Sequence, residues 1–243
     1  MAAKETRPPL GGSLNTNYVV QNPDLGTLLL RVPRRNKDIE AAIASQFGRL
    51  GYKGKFRMRS PEEQYSFSQR AFEVGLRVVP AVDIVGRDTY YPFIDGAKTI
   101  GEFFVSTADN EQALIVNQLF DDLGKAHNNG FVYGDRVIPN MLVHPQHGLT
   151  HIDFDVELSG QTAKEMDVSN AIYSLIVAGG EQTPALLATI LATKPLWFDM
   201  KIVEYYLRRF SISSQETKEG DFGLAVDAFI AAHDVLRTVN KRV

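Results

Sequence analysis

Residues 128–158, NNGFVYGDRVIPNMLVHPQHGLTHIDFDVEL, decide how this chain is interpreted. Four residues separate Asp135 from Asn140, and Asp153 follows later in the motif HIDFD. Between them, an apolar run, a turn rich in Pro and Gly and a second apolar run predict a short β-hairpin. Because a hairpin returns its far arm to its start, we expect Asp153 on the far strand, close to the other two side chains.

Such a set of side chains fits phosphoryl transfer from ATP. A carboxylate accepts or orients the proton of the attacking hydroxyl, and an amide with a second carboxylate holds Mg²⁺ against the phosphates. Turn chemistry is the alternative for Asp135 and Asn140, because Asp and Asn favour loops by bonding their own backbone. A helix cap or a buried ion pair is the alternative for Asp153.

The pattern G-D-x-x-x-x-N followed by I-D-F resembles the catalytic and metal-binding loops of the protein-kinase-like superfamily. It is most similar to the atypical branches: aminoglycoside and choline kinases, lipopolysaccharide kinases, and the small kinase of the tRNA threonylcarbamoylation complex. The resemblance implies Asp135 as catalytic base, Asn140 as metal ligand and Asp153 as principal Mg²⁺ ligand. Tyr133 stands where these branches usually have His. Asp167 matches the helix aspartate that bonds the backbone of the catalytic loop.

Upstream residues extend the resemblance to the nucleotide site. Arg31, near the end of TLLLRV, stands where the family carries the cation, usually Lys, that pairs the α- and β-phosphates. Its expected partner is an acidic residue on a following helix, Glu63 or next Glu62. Otherwise, Arg31 belongs to a basic surface and Glu63 only caps its helix. The segment GGSLNTNYVV is similar to the phosphate-covering loop, and its implied nucleotide-binding residues are Gly11, Gly12 and Ser13.

The segment YYPFIDG is similar to the hinge that grips adenine through backbone atoms in these kinases. Pro92 offers a carbonyl but no N–H group. The resemblance therefore implies that Ile94 donates the second hydrogen bond to the base.

The pattern of apolar residues predicts strands first and helices later. NTNYVV and TLLLRV predict an antiparallel hairpin, and VVPAVDIVG and TYYPFIDG predict two further strands. Helical spacing over residues 37–51 and 60–75 predicts two helices, the second starting with Ser60 as N-cap, Pro61 and a capping box at Glu63. A long amphipathic helix is expected over 109–130, and the chain from residue 163 onward is mostly helical.

The expected fold is thus α+β and, by the resemblance, a two-lobed protein-kinase-like fold. Residues 1–96 would form the N-terminal lobe, a small antiparallel sheet with helices that covers the nucleotide. Residues 97–243 would form a mostly helical C-terminal lobe with the catalytic and metal-binding loops. The implied cofactors are ATP and Mg²⁺.

Composition narrows the class of protein. A chain of 243 residues with 44% hydrophobic and 23% charged residues is typical of a globular protein with a substantial core. No apolar run approaches the roughly 20 residues that a membrane span needs. The start lacks the apolar region of a secretory signal, and the chain has no cysteine for disulfides or thiolate metal sites. These features favour a cytoplasmic location.

Charge is distributed unevenly along the chain. The overall formal charge is −3, but residues 31–59 contain nine basic and two acidic residues, a local charge of +7. Clustered cations attract polyanions at long range. An acidic or RNA-containing partner is therefore a candidate for this segment, and a solvated helix and loop is the alternative.

The phosphate acceptor is left open between a protein Ser or Thr and a small-molecule alcohol. Only 13 residues separate Asp153 from Asp167, too few for the long phosphorylated segment of regulated kinases. Arg31 in place of Lys and Tyr133 in place of His keep a pseudokinase as the alternative function: a scaffold or regulator that binds nucleotide or a partner without turnover. The close spacing of three imidazoles leaves open a metal site at His144, His147 and His151.

Overall fold

A computed structural model describes residues 4–5, 14–34, 37–216 and 222–240. Within these ranges the protein is α+β, as predicted, with antiparallel sheets and eight α-helices. The strands are β1 (Lys4–Glu5), β2 (Asn15–Asn22), β3 (Gly26–Pro33), β4 (Lys55–Met58), β5 (Asp83–Val85), β6 (Asp88–Pro92), β7 (Lys98–Thr99), β8 (Met141–His144), β9 (Gly148–His151) and β10 (Val156–Ser159). The helices are α1 (Lys37–Arg49), α2 (Pro61–Glu73), α3 (Ile100–Ser106), α4 (Asp109–Asn128), α5 (Ala163–Ala178), α6 (Thr183–Thr193), α7 (Met200–Glu216) and α8 (Gly223–Asn240).

The largest sheet is antiparallel, with its strands in the order β1-β2-β3-β6-β5. β2 and β3 form the predicted hairpin, with Asn22 opposite Gly26 at the turn. Asn22 Oδ1 accepts the backbone N–H groups of Asp24 and Leu25 at 2.9 and 3.0 Å. Gly26 supplies the positive φ of 78° that closes such a turn without strain. The two further predicted strands are β5 and β6.

One face of this sheet is polar at one end and apolar at the other. Residues directly opposite one another on neighbouring strands share a face. On this face, Arg31 lies between Asn17 of β2 and Thr89 of β6. Two residues along β3, Leu29 lies between Val19 of β2 and Tyr91 of β6.

Helix α2 begins as the sequence predicts. The Ser60 side chain accepts the backbone N–H of Glu63 at 3.3 Å, and the Glu63 carboxylate accepts the backbone N–H of Ser60 at 2.7 Å. Pro61 occupies the first turn, where its missing N–H costs nothing. This reciprocal capping box fixes the start of the helix, so that Phe67 and Ala71 are buried in the main core.

The second predicted hairpin is also present. β8 and β9 pair with Met141 opposite His151, and β7 extends them to three strands. The expectation that Asp153 lies on the far strand is wrong, because β9 ends at His151. Asp153 has a left-handed φ of 60°, which turns the chain out of the ladder. The carbonyl groups of Ile152 and Asp153 accept hydrogen bonds from Arg136 instead of from a neighbouring strand.

The largest apolar core lies among the helices. α5 is covered on almost every side, and Ala171, Ile172 and Leu175 have no exposed surface. α4 adds Leu119 and Leu123 to the same core. A helix that is covered all round serves as the central support of its neighbours. No helix within the described ranges combines the length and the apolar character that crossing a membrane requires.

The segment α1–β4 packs against the helical part and not against the large sheet. Phe47 of α1 and Leu50, which follows this helix, join Met166, Tyr206 and Phe210 in a second apolar cluster. β4 forms a separate two-stranded sheet with β10. The division of the chain at residue 96 stays a prediction, and this segment from its N-terminal side shares a core with α5 and α7.

Candidate functional site

The loop between α4 and β8 is anchored by Asp167 of α5, as the sequence predicts. Asp167 is fully buried, and its carboxylate accepts the backbone N–H groups of Tyr133 at 2.9 Å and Gly134 at 3.0 Å. Gly134 has a φ of 89°, and a Cβ there would lie 2.5 Å from the backbone oxygen of Val156. Only glycine fits this position, and the next residue is therefore held in a fixed place.

That next residue is Asp135, which is joined to Asn140. Asn140 Nδ2 donates to the backbone oxygen of Asp135 at 3.0 Å and to its carboxylate at 3.3 Å. A 3₁₀ turn at Ile138–Asn140 brings the amide back across the loop. Because the nitrogen of the amide faces Asp135, its oxygen is the atom suited to a metal ion.

The Asp135 carboxyl is crowded by protein although part of its side chain still reaches solvent. Burial, reinforced by the nearby Asp153 carboxylate and opposed by the Arg136 guanidinium, raises its pKa to about 6. A base that takes a proton near neutral pH needs a pKa close to the working pH. The loop therefore provides a carboxylate tuned in the direction that proton transfer requires.

Arg136 ties Asn140 to Asp153. This arginine has no exposed surface. It donates to the backbone oxygen of Asn140 at 3.1 Å, to that of Ile152 at 3.1 Å and to that of Asp153 at 2.8 Å. A buried guanidinium satisfied by several carbonyls holds two chain segments in one arrangement. The sequence pattern does not mark this residue, because an arginine inside a polar loop is typical of a surface cation.

Arg59 holds the other end of the same segment. Its guanidinium donates to the backbone oxygens of Phe154 at 2.9 Å and Val156 at 2.5 Å, and lies over the ring of Phe67 at 4.2 Å. Arg59 and Arg136 together fix the carbonyls on both sides of Asp153. This order depends on side chains of the chain itself.

Arg31 reaches the site from the large sheet. Its Nη2 lies 2.8 Å from Asp153 Oδ1 and also bonds Asp155. Burial opposes its charge, but these two carboxylates raise the pKa of Arg31 above its usual value. The expected pairing of Arg31 with Glu63 is wrong. Glu63 pairs instead with Arg57 at 2.7 Å, because the capping box already draws its carboxylate to the start of α2.

Asp155 is a second carboxylate that the sequence analysis did not single out. Asn15 Nδ2 donates to it at 2.9 Å. Burial and the neighbouring Asp153 carboxylate raise its pKa to about 7, whereas the pKa of Asp153, despite its burial, is held below the usual value by Arg31. The signal in the sequence was the i, i+2 spacing of two aspartates in HIDFD, both of which contact Arg31 in the structure.

The apolar end of the sheet face forms a small cluster beside these charges. Tyr91 is buried with Val79 and Ala81, and Leu29, Ile94 and Ile152 pack against them. Pro92 closes β6, and the backbone oxygen of Ile94 accepts the N–H of Ala97 at 3.4 Å. An apolar surface next to a buried cation and carboxylates offers both environments that a nucleotide requires.

The donor set can be compared with the needs of Mg²⁺. This ion is usually held by one or two carboxylates together with phosphate oxygens and waters. Asp153 and the Asn140 oxygen would supply the protein ligands. Arg31 Nε is buried without a hydrogen-bond partner in the described part of the chain. Nη2 of the same guanidinium meets Asp153. These groups fit a metal-bound phosphate.

The histidines do not form a metal site. In the residues that the structure describes, no cluster of three or more His, Asp or Glu side chains is arranged to hold an ion. The rings of His144 and His147 stack at 4.6 Å in the hairpin turn, whereas His151 is fully buried and stacks on Tyr133 at 4.8 Å. The three imidazole rings therefore lie in different environments and do not meet at one site.

The basic segment 31–59 does not present all its cations to solvent. Arg31 and Arg59 point into the interior, and Arg57 is paired with Glu63 and Glu157. The surface available to an acidic or RNA-containing partner is therefore smaller than the sequence suggests.

Two cavities, of about 470 and 390 Å³, lie away from Asp135, at the end of α4 and between α1 and α7.

The predicted phosphate-covering residues Gly11, Gly12 and Ser13 lie outside the described residues.

No protein-family model matches this chain, and no curated protein matches it. Its assignment therefore depends on the arrangement of its own residues.

Proposed function

We propose that this chain is an ATP- and Mg²⁺-dependent phosphotransferase with a two-lobed, kinase-like arrangement. The carrying observation is that Asn140 bonds Asp135 while Arg136 ties the backbone of Asn140 to that of Asp153. Arg31, from the large sheet, meets the Asp153 carboxylate. Groups from three separate stretches of the chain meet here, which purely local turns would not require. The resemblance of the loop to atypical kinases agrees with this reading.

Each residue has a chemical task in the proposed reaction. Asp135 orients the acceptor hydroxyl and takes its proton as the oxygen attacks the γ-phosphorus of ATP. The bond between that phosphorus and the bridging oxygen breaks, and ADP leaves with the electron pair. Asp153 and Asn140 hold Mg²⁺, which neutralises phosphate charge when it is bound. Arg31 neutralises the remaining charge from the sheet side.

In this proposal the adenine ring of ATP lies against the apolar end of the same sheet face. Tyr91, Leu29 and Ile152 would cover its flat surfaces, and the backbone of Pro92–Ile94 would meet its polar edge. The distance along the face from Leu29 to Arg31 is two residues, or about 7 Å, which suits the step from a base to its phosphates. The acceptor is a protein hydroxyl or a small-molecule alcohol.

A non-catalytic role is the second candidate, and one observation favours it. Arg31 forms an ion pair with the carboxylate that would hold Mg²⁺. If this pair persists with nucleotide bound, the protein is a pseudokinase that uses the same site for binding alone.

The experiment compares Asp135→Asn with the parent protein. Labelled ATP and Mg²⁺ are supplied with cell lysate or with a panel of alcohols, and transfer and ADP release are measured. A positioned base contributes about 10²–10⁴ in rate, so Asp135→Asn should lower turnover at least about 100-fold with nucleotide affinity nearly unchanged. Asp234→Asn, an exposed aspartate of α8, is the matched control and should keep full turnover.

Three outcomes are distinct. Equal turnover in Asp135→Asn and the parent rejects the role of the base. Mg²⁺-dependent ATP binding by a parent that transfers no phosphate supports the pseudokinase. The absence of any nucleotide binding rejects the phosphotransferase and leaves, of the pseudokinase, only a scaffold that binds a partner.

A further inference from the structure

Trp197, in the connection between α6 and α7, contacts the anchor of the catalytic loop. Its indole Nε1 donates to His127 Nδ1 at 3.0 Å. Two residues later, the backbone N–H of Asp199 donates to Oε1 of the buried Glu165 at 3.1 Å, which fixes this connection on α5. Trp197 is the single tryptophan of the chain.

The direction of this hydrogen bond assigns the hydrogen on His127. An indole N–H donates and never accepts, so His127 Nδ1 is an acceptor without a hydrogen. The ring hydrogen therefore lies on Nε2, which is 3.0 Å from Asp167 Oδ2. His127 and Asp167 are both buried, so no water competes for these atoms. The indole thus fixes both the tautomer and the plane of the imidazole.

Asp167 transmits this constraint to the catalytic loop. The oxygen that accepts from His127 also accepts the backbone N–H of Tyr133, and the second oxygen accepts that of Gly134. Asp135 follows directly. A continuous series of hydrogen bonds therefore runs from the indole of Trp197 to the residue before the proposed base.

Close packing fixes the indole as well. It lies against α4 at Gly124, where a Cβ would be only 3.3 Å from the ring atoms Cε3 and Cζ3. Because α4 has no side chain at this point, the indole rests directly on the helix. The ring is thereby held in the plane that aims its N–H at His127.

We infer that Trp197 is a positioning residue for phosphoryl transfer. It orients His127, which holds Asp167 and with it the backbone that carries Asp135. This inference rests on the proposed function. A misplacement of about 1 Å at the reacting groups lowers a rate by up to about 100-fold without changing how the substrate is bound elsewhere. The indole N–H should therefore affect kcat and leave the KM for ATP unchanged.

The test removes the donor and keeps the ring. Trp197→Phe retains an aromatic side chain on Gly124 and should lower kcat about tenfold, with the KM for ATP unchanged. Tyr205→Phe is the matched control, because it removes one polar group from an exposed aromatic residue of α7. The control should keep the kcat of the parent. Full kcat in Trp197→Phe would overturn the inference and leave the proposed function standing.

A double-mutant cycle separates the hydrogen bond from packing. His127→Gln can still offer an N–H to Asp167, but it lacks the ring nitrogen that meets the indole. In that background Trp197→Phe should change kcat no further. If it lowers kcat by the same factor as in the parent, the indole acts by packing and the inference is wrong.

Hydrogen exchange tests the inference without any activity. Trp197→Phe should speed exchange of the Tyr133 and Gly134 amides about tenfold, while amides of β2 and β3 keep their rates. The single indole N–H resonance of the parent should also shift in His127→Gln. If the parent transfers no phosphate, the proposed function fails. These two measurements still test whether the indole orients His127 and the loop. Unchanged exchange and an unmoved indole resonance would overturn the inference.

Discussion

Arg31 Nη2 lies 2.8 Å from Asp153 Oδ1, although the two residues are 122 positions apart in the chain. This contact joins the large sheet to the segment after β9. The same guanidinium bonds Asp155, whose side chain is only 7% exposed. One buried cation therefore balances two carboxylates, and a change at this point should affect the stability of the fold.

Removal of this cation should destabilise the protein. Arg31→Met leaves Asp153 and Asp155 without a counter-charge, and breaking a buried pair from one side costs about 3–5 kcal/mol. Arg31→Met with Asp155→Asn removes one carboxylate as well and should recover part of that loss. Urea unfolding of the three proteins measures the free energy of unfolding. A double variant no more stable than Arg31→Met would contradict the shared role of this arginine.

Asp153→Asn should abolish the Mg²⁺-dependent part of ATP binding. The carboxylate is the principal ligand proposed for the metal, and its amide replacement carries no charge to hold the ion. Calorimetric titration with ATP in Mg²⁺ and in chelator measures this difference directly. Asp83→Asn, on the exposed edge strand β5, is the control and should bind as the parent does. An affinity in Mg²⁺ equal to that of the parent would count against the assignment.

Glu63 and Arg31 should behave differently in nucleotide binding. Glu63 is bonded to Arg57 and to the start of α2, so Glu63→Gln should change the KM for ATP by less than about twofold, as expected for an exposed pair. Arg31→Lys keeps the charge but cannot bridge two carboxylates, and the KM should rise about tenfold. Steady-state kinetics of the two variants compares them. Equal effects would restore Glu63 to the nucleotide site.

The metal-free protein should lose stability as the pH rises through the titration of Asp135. Burial raises the pKa of this carboxyl from 3.8 to about 6, so the folded state binds its proton more tightly than the unfolded state. That contribution is complete below pH 3.8 and is lost by about pH 6. Asp135→Asn lacks it.

The measurement is urea unfolding of both proteins at pH 4 and pH 8 in chelator. Relative to Asp135→Asn, the parent should be less stable at pH 8 than at pH 4 by about 2 kcal/mol. A difference between the two proteins that is the same at both pH values would show that the carboxyl is not perturbed.

Short-range patterns predicted several elements of the fold, although not α3 or the pair β4–β10. The capping box at Ser60 and Glu63, the turn at Asn22 and the apolar spacing of α4 each depend on residues within one or two turns of one another. Such interactions are complete inside the segment that forms them. The spacing of Asp135 and Asn140 belongs to the same class, because a single loop holds both.

Pairings between distant segments were not predictable in this way. The sequence suggested Glu63 as the partner of Arg31, but the capping box had already taken its carboxylate, and Asp155 was available across the fold. From the sequence, Arg59 was also counted as part of a basic segment. Its real partners are carbonyls 95 and 97 positions away, which no local pattern contains.

The sequence by itself determined the α+β class, the two hairpins, the helix starts and the loop that carries Asp135 and Asn140. Only the tertiary structure decided that Arg136 bonds that loop, that Arg31 meets Asp153 and that the indole of Trp197 meets His127. The physical reason is that a buried cation or an indole N–H takes whichever acceptor the packed chain brings within about 3 Å. That choice is made by the whole fold and not by the residues next to it in sequence.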